Sequence, residues 1–579
     1  MVVTRGRLAA CAALVASIYA GALPSAQAPA TAGNELTALA TEFTARARAT
    51  GEFGVLPAAE QATAESAWAA AFLERLHALK EGRLTHDEWI TYAMLENDAE
   101  IQRDSAEFFW FRIPITPYAS PLRGATATFP AMPIATDANR QAYLDALNRF
   151  PVILASYEAR LRSQAQRGIV VPAEELRLAV PYVRGFGGAA SSSPLRPQPA
   201  AIAALAPDVR GAFVQRVDAT LTTVVAPAVE RLAAYVDGEY RAKAPSAVGL
   251  AQYPGGRKYY DFLIRRNTSL SLTPEAIHQI GLTEVDRLER ELDAIRRDAT
   301  FAGTAEEFHR YLRSDRRFMA ASAEDIGDRM MAAIRRIEPK VSAFFPLQPK
   351  APYGVRRLDP SLEQSMTYGY YQQPAGSERG GYYLFNAFKP EERSILMAEA
   401  VIYHELVPGH HFQIVLQREN DSLIPYRRNS GFTAFTEGWA EYASDLAGEM
   451  GMYVDPYQRA GRVAMDLFLS TRLVVDTGMN ALGWSREKGV AFMREHTFES
   501  DLQIDTESLR YSADNYGQAL AYKLGARKFH ELRDKVKKEQ GSKFDLPAFH
   551  SWVLQAGAMP LTVLEAHVDC LIGERHASR

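Results

Sequence analysis

The chain has 579 residues, 47% hydrophobic and 23% charged, an ordinary balance for a globular protein with ample material for a buried core. Its 65 basic and 69 acidic residues leave a formal net charge of −4, so composition makes no electrostatic case for nucleic acid or an anionic membrane surface. The only cysteines are Cys11 and Cys570, near opposite ends of the chain.

Met1 to Arg7 carries two arginines, Leu8 to Leu23 is an Ala/Leu/Val-rich apolar run, and Ala26-Gln27-Ala28 has the A-x-A form of a cleavage site. Residues 1–28 therefore read as a secretory signal peptide, with an N-terminal membrane anchor as the alternative, and predict an exported protein, periplasmic or extracellular. Leu8-Ala9-Ala10-Cys11 has the look of a lipoprotein box but precedes most of the apolar run, and is discounted. Cys11 leaves with the signal, so Cys570 has no partner for an intramolecular disulfide; its apolar-rich surroundings predict a buried small hydrophobe rather than a nucleophile.

Residues 29–250 read as an N-terminal helical part and 251–579 as a catalytic helical part continuous with it. Apolar spacing predicts helices from Ala58 to Leu79 and from Asp87 to Glu107, the second capped by Thr85. Phe108-Phe109-Trp110-Phe111 follows, read as core packing in preference to a ligand-stacking surface. After a Pro/Thr/Gly-rich connection comes a long helical pattern, Asp137 to Gln166, then a Gly/Ser/Pro stretch, Gly185 to Pro199, read as a surface loop rather than a lid. Asp208 to Ala242 is helical. Thr273-Pro274-Glu275 caps a helix running toward Arg297, on which His278 is read as structural. Phe308 to Leu312 and Ala323 to Phe345 continue the pattern.

Strand signals are sparse: Met366 to Tyr371 and Gly381 to Asn386, separated by a Pro/Gly/Ser turn, predict a hairpin. It is either an edge against which an extended peptide lies or a purely structural hairpin. Pro390-Glu391-Glu392 is expected to open the next helix, and the apolar run Ile395 to Tyr403 to bury it. Beyond the motifs described next come helical patterns at Pro456 to Thr477, Ser485 to His496, and Thr506 to Lys538, the last divided near Asp514 to Gly517. No transmembrane span is predicted.

Tyr403-His404-Glu405-Leu406-Val407-Pro408-Gly409-His410-His411 places three of the 12 histidines and a glutamate in eight positions. Neutral imidazoles that bind a metal, beside a carboxylate that takes a proton from water, are what a catalytic zinc site needs. In the familiar His-Glu-x-x-His form the second histidine would stand at 408, but that residue is proline, which removes the hydrogen bond to the carbonyl of His404. The helix must bend or break there. With Pro408-Gly409 looped out, His410 takes the second ligand's place, His411 remaining the alternative ligand or a hydrogen-bonding neighbour. Glu437 is the third candidate ligand, on a helical stretch with Ser430 as a cap before it. Glu441, one turn on, is the rival ligand or an outer partner to a histidine. Glu405 is the candidate general base. Zn2+ is preferred on ligand type, although two histidines and a carboxylate also suit non-haem iron.

His-Glu-x-x-Pro-Gly-His-His with Glu437-Gly438-Trp439-Ala440-x-Tyr442 resembles the bacterial family catalogued as domain of unknown function 885. Pro254-Gly255-Gly256-Arg257-Lys258-Tyr259-Tyr260, Leu272-Thr273-Pro274-Glu275, Pro352-Tyr353-Gly354-Val355-Arg356-Arg357, Arg510-Tyr511 and Gly517-Gln518-Ala519-Leu520-Ala521-Tyr522 extend the likeness from about residue 250 to 530. One departure is Tyr516, where the family pattern has proline. The resemblance implies a mainly α, zinc-peptidase-like fold with a small hairpin or short sheet beside the active-site helix. It also implies a His, His, Glu ligand set and an oxyanion donor at Tyr511 with Arg510; Tyr516, Gln518 and Tyr522 are the fallbacks. The resulting expectation is an exported zinc metallopeptidase with a peptide substrate. Its rivals are a catalytically silent peptide-binding protein and a non-haem iron enzyme.

Overall fold

Capping side chains set many of the helix starts. Helix α1 (Ala59–His77) is followed by α2 (His86–Ser105), where Thr85 accepts from Glu88 N and the Glu88 carboxylate accepts from Thr85 N, a closed capping box. Thr136 caps α3 (Asp137–Gln166) in the same manner through Asn139, and the helix has the predicted limits. After α4 (Gly256–Thr268), Thr273 accepts from Ala276 N to open α5 (Pro274–Asp298), with Pro274 in its first turn. This computed structural model describes residues 32–48, 54–79, 84–363, 368–375 and 378–577. The predicted signal peptide, residues 1–28, lies outside them.

The fold is mainly α with one short sheet, as expected. Strand β1 (Tyr353–Arg357) runs parallel to β3 (Gly381–Phe385), and β2 (Gly369–Gln372) pairs antiparallel on the other side of β3. The hairpin is the one the sequence predicts. Strand β1 is additional: only Val355 and its near neighbours pack inward while both arginines face out, so its apolar alternation is too short to read.

Two other starts differ from expectation. Pro390–Glu392 forms a single 3-10 turn instead of opening the motif helix. The backbone that follows is spent elsewhere, Ile395 N donating to Phe318 O at 2.7 Å and Arg393 O accepting from Ala320 N, so α6 (Ala398–Glu405) begins five residues after Arg393. Ser430 does not cap α8 (Thr433–Glu449): its hydroxyl donates to Tyr426 O at 2.8 Å, and Phe432 occupies the cap position. Cys570 is half-buried rather than buried.

Phe72, Leu76, Ile90 and Leu95 of the first helices share one core with Ile402, Trp439 and Phe529, so the beginning of the described chain supports the motif helices directly. Residues between Ile113 and Tyr240 close a second core around α3. A third joins α5 to α9 (Pro456–Ala481), and these two helices pack closely enough that a Cβ on Gly281 would lie 2.7 Å from a Val474 methyl. Among the described residues no helix is long and apolar enough to cross a membrane.

Helices α8 and α10 (Leu520–Gln540) also cross closely, so that a Cβ on Gly438 would meet the Gly525 Cα at 2.4 Å. Because backbone rather than a flexible side chain blocks it, Gly438→Ala must push the helices apart, and is expected to cost about 1–3 kcal/mol or more. Gly211, with no atom within 4 Å of its would-be Cβ, supplies the control: Gly211→Ala should stabilise the helix by about 0.5–1 kcal/mol. Paired denaturant melts check both signs.

Candidate metal centre

Helix α6 carries Tyr403, His404 and Glu405 to its last turn and stops. Leu406 leaves helical geometry at φ −117°, ψ −86°, and α7 (His410–Glu419) starts at His410. This is the break that Pro408 predicts. Gly409 is needed there, since a Cβ would fall 1.8 Å from His404 O. The turn is braced by Trp439, whose indole donates to Pro408 O at 3.0 Å.

The two-residue detour brings the His404 and His410 rings to 4.7 Å between centroids and nearly perpendicular, at 85°. Glu437, from α8, reaches between them: its Oε2 is 3.6 Å from His404 Nε2 and 3.1 Å from His410 Nε2. Two ligands each about 2.0–2.1 Å from a tetrahedral ion lie about 3.3 Å from one another. His404, His410 and Glu437 are the one His/Cys/Asp/Glu group among the described residues whose ligand atoms all fall within 4.8 Å, so the donor set and its spacing fit zinc. Glu405 Oε2, Glu437 Oε2 and His410 Nδ1 are buried without a hydrogen-bond partner.

Around this group the roles separate. Glu441 Oε2 stands 3.4 Å from His404 Nδ1, and its other oxygen is 2.6 Å from the Arg462 guanidinium. It lies behind the histidine, orienting the ring, and is not a third ligand. His411 faces the sheet: its Nε2 donates to Ala351 O at 3.0 Å and its Nδ1 accepts from Tyr371 OH at 2.9 Å. Gly381 permits this, as a Cβ there would lie 2.3 Å from His411 Nδ1. Burial pulls His411 down to about 4.

Burial alone would also lower His404, but Glu437 and Glu441 outweigh it and lift this imidazole to about 9. Burial would raise Glu437; His410 and His404 hold it well below the usual carboxylate range. Glu405 is raised by burial against the opposing pull of the same two histidines. Since imidazoles bind metal in the neutral form, loading such a site displaces protons.

Of the two predicted oxyanion groups, the structure brings Arg510 toward the centre and turns Tyr511 away. Arg510 donates to Gln518 Oε1 at 2.7 Å, and Gln518 Nε2 is 3.4 Å from Glu437 Oε1. Tyr511 is fully buried, its hydroxyl donating to Glu507 and accepting from Arg472. Consecutive residues of the Arg510–Asp514 helical turn point in different directions, so a shared motif does not mean a shared destination. The phenol beside the centre belongs to Tyr522, on α10, whose ring lies parallel to that of His404 at 5.9 Å. The Gly438–Gly525 crossing, next to Glu437 in sequence and one turn from Tyr522, makes that approach possible. Arg462 had no motif to announce it.

The family model described as a bacterial protein of unknown function (DUF885) matches residues 43–568. No curated protein matches the chain. Among solved structures, a "putative lipoprotein" from Colwellia psychrerythraea is 26% identical, with a TM-score of 0.85 over 94% of this chain and 100% of its own. A "putative lipoprotein of unknown function" from Shewanella oneidensis, 17% identical, has a TM-score of 0.68 over 93% of this chain and 99% of its own, a likeness of fold.

Proposed function

The chain belongs to the bacterial family of proteins of unknown function DUF885, and from that premise we propose that it is an exported zinc-dependent peptidase acting on short peptides. The observation that carries the reading is the convergence of His404, His410 and Glu437 at ligand spacing beside Glu405, a half-buried acid with an unpartnered oxygen. Zinc held by these three residues would supply a Lewis acid that polarises water and the scissile carbonyl.

The remaining work falls to the chain's own groups. The Glu405 carboxylate takes the proton from the attacking water and returns it to the leaving amine. A carboxylate adjoining a ligand is better explained by this task than by the oxygen chemistry of an iron site. Glu441 fixes the His404 tautomer so that Nε2 presents its lone pair to the centre. The Tyr522 hydroxyl donates to the charge that develops on the substrate oxygen. Strand β2 presents Tyr371 beside His410, the ring centroids 6.4 Å apart, which favours a cleft along which an extended peptide adds its main chain to the sheet. Export is supported by the form of residues 1–28 and by the lipoprotein descriptions of the two similar structures.

A peptide-library digest with and without chelator tests the activity; zinc-dependent cleavage is expected, and cleavage that survives complete chelation would contradict the reading. Within that assay, Tyr522→Phe should lower kcat about 10²-fold or more with KM little changed, the size of losing one oxyanion donor. Tyr511→Phe should act through stability instead, read as a lower melting temperature with kcat nearly intact.

A further inference from the structure

The structure holds a second charged site, remote in sequence from the metal motifs. Arg112 follows the aromatic run, Arg160 lies on α3 and Arg266 on α4, yet all three line one cavity of about 400 Å³. Arg112 and Arg266 also line the adjoining cavity of about 540 Å³, so they stand where the two meet. Among the described residues none of the three forms an ion pair, whereas Arg265, next to Arg266, is paired with Asp104. The one carboxylate in the smaller cavity, Asp514, is occupied by the backbone amides of Tyr118 and Ala119 at 2.6 and 2.8 Å.

Arg160 is only 7% exposed. Its guanidinium lies 3.8 Å from the Phe109 ring centroid and one arm donates to Pro57 O at 2.7 Å, which holds the group in place and leaves further N–H donors available. Burial and the neighbouring Arg112 charge both push Arg160 down, to about 10. Three like charges line one cavity with no carboxylate paired to any of them, and an anion bound among them relieves all three at once. Apolar and aromatic side chains, Phe111, Tyr259 and Leu263, line the same cavity, Phe111 and Tyr259 stacked at 4.8 Å between ring centroids.

We propose that Arg112, Arg160 and Arg266 bind the carboxylate of a small molecule whose apolar body lies on the aromatic wall. A planar carboxylate matches the fork of a guanidinium, and the mixed lining matches an amphipathic ligand. This site is independent of the peptidase reading and stands whether or not the metal centre is catalytic.

The test is calorimetric titration of the full chain with 3-phenylpropionate, the neutral 3-phenylpropanamide and inorganic phosphate. Saturable binding of the carboxylate but not the amide is expected, weakened about tenfold or more in an Arg112→Gln/Arg266→Gln double variant. These two side chains are solvent-exposed, so the variant should keep the wild-type melting temperature and zinc content. Arg160→Gln, checked for folding by the same melt, should lose binding entirely. The proposal is overturned by no binding to the wild type, by equal binding of the amide, by a double variant that binds as well as wild type, or by phosphate binding without the phenylpropionate.

Discussion

Glu405→Gln is expected to lower kcat by about 10²–10⁴-fold while the protein keeps its zinc. Glutamine preserves the volume of the side chain and its place at the end of α6, so the neighbouring ligands have no reason to move. What it loses is the ability to accept a proton. Burial raises Glu405 toward the range of a useful base, and its unpartnered Oε2 has no structural hydrogen bond to lose. A purely structural acid would therefore show a changed melting temperature and normal turnover. Steady-state kinetics with metal content measured on the same preparation separates the two outcomes, and unchanged kcat would remove Glu405 from the mechanism.

The second large effect separates adjacent histidines. His410→Ala removes a group 3.1 Å from Glu437 and should abolish stoichiometric zinc binding. His411→Ala removes hydrogen bonds to Ala351 and Tyr371, loosening the join between α7 and the sheet, yet should leave zinc bound. Truncating a buried ring costs about 2–5 kcal/mol, so His411→Ala is expected to be the less stable protein and His410→Ala the metal-free one. Metal analysis and thermal melts on both give the crossing pattern. If His411→Ala were the variant that lost zinc, the assignment of ligands would be reversed.

Much of the centre was legible because single residues forced it. Pro408 cannot continue a helix through His404, so a break and a displaced second histidine followed from covalent geometry. Glu437 was readable as an acid among apolar neighbours. The choice between His410 and His411 was not, because it depends on Gly381 and Tyr371 arriving from the sheet, a tertiary event with no local signal. Tyr511 and Tyr522 show the same limit: which phenol reaches the centre is decided by the Arg510–Asp514 turn and by two glycines touching across α8 and α10. Pro390 and Ser430 carried the right local preferences for helix starts, but the backbone of Phe318–Ala320 and the carbonyl of Tyr426 claimed the relevant groups. Strand β1 was missed because five residues with two outward arginines show no alternation to read.

The proposed chemistry needs one divalent ion seated by three side chains. Diffraction from crystals of the untreated protein, with data collected on both sides of the zinc absorption edge, addresses that directly. A single anomalous peak that vanishes below the edge is expected, about 2 Å from His404 Nε2, His410 Nε2 and a Glu437 oxygen. Well-ordered side chains with no peak among them, and Glu437 hydrogen-bonded to protonated imidazoles instead, would contradict it.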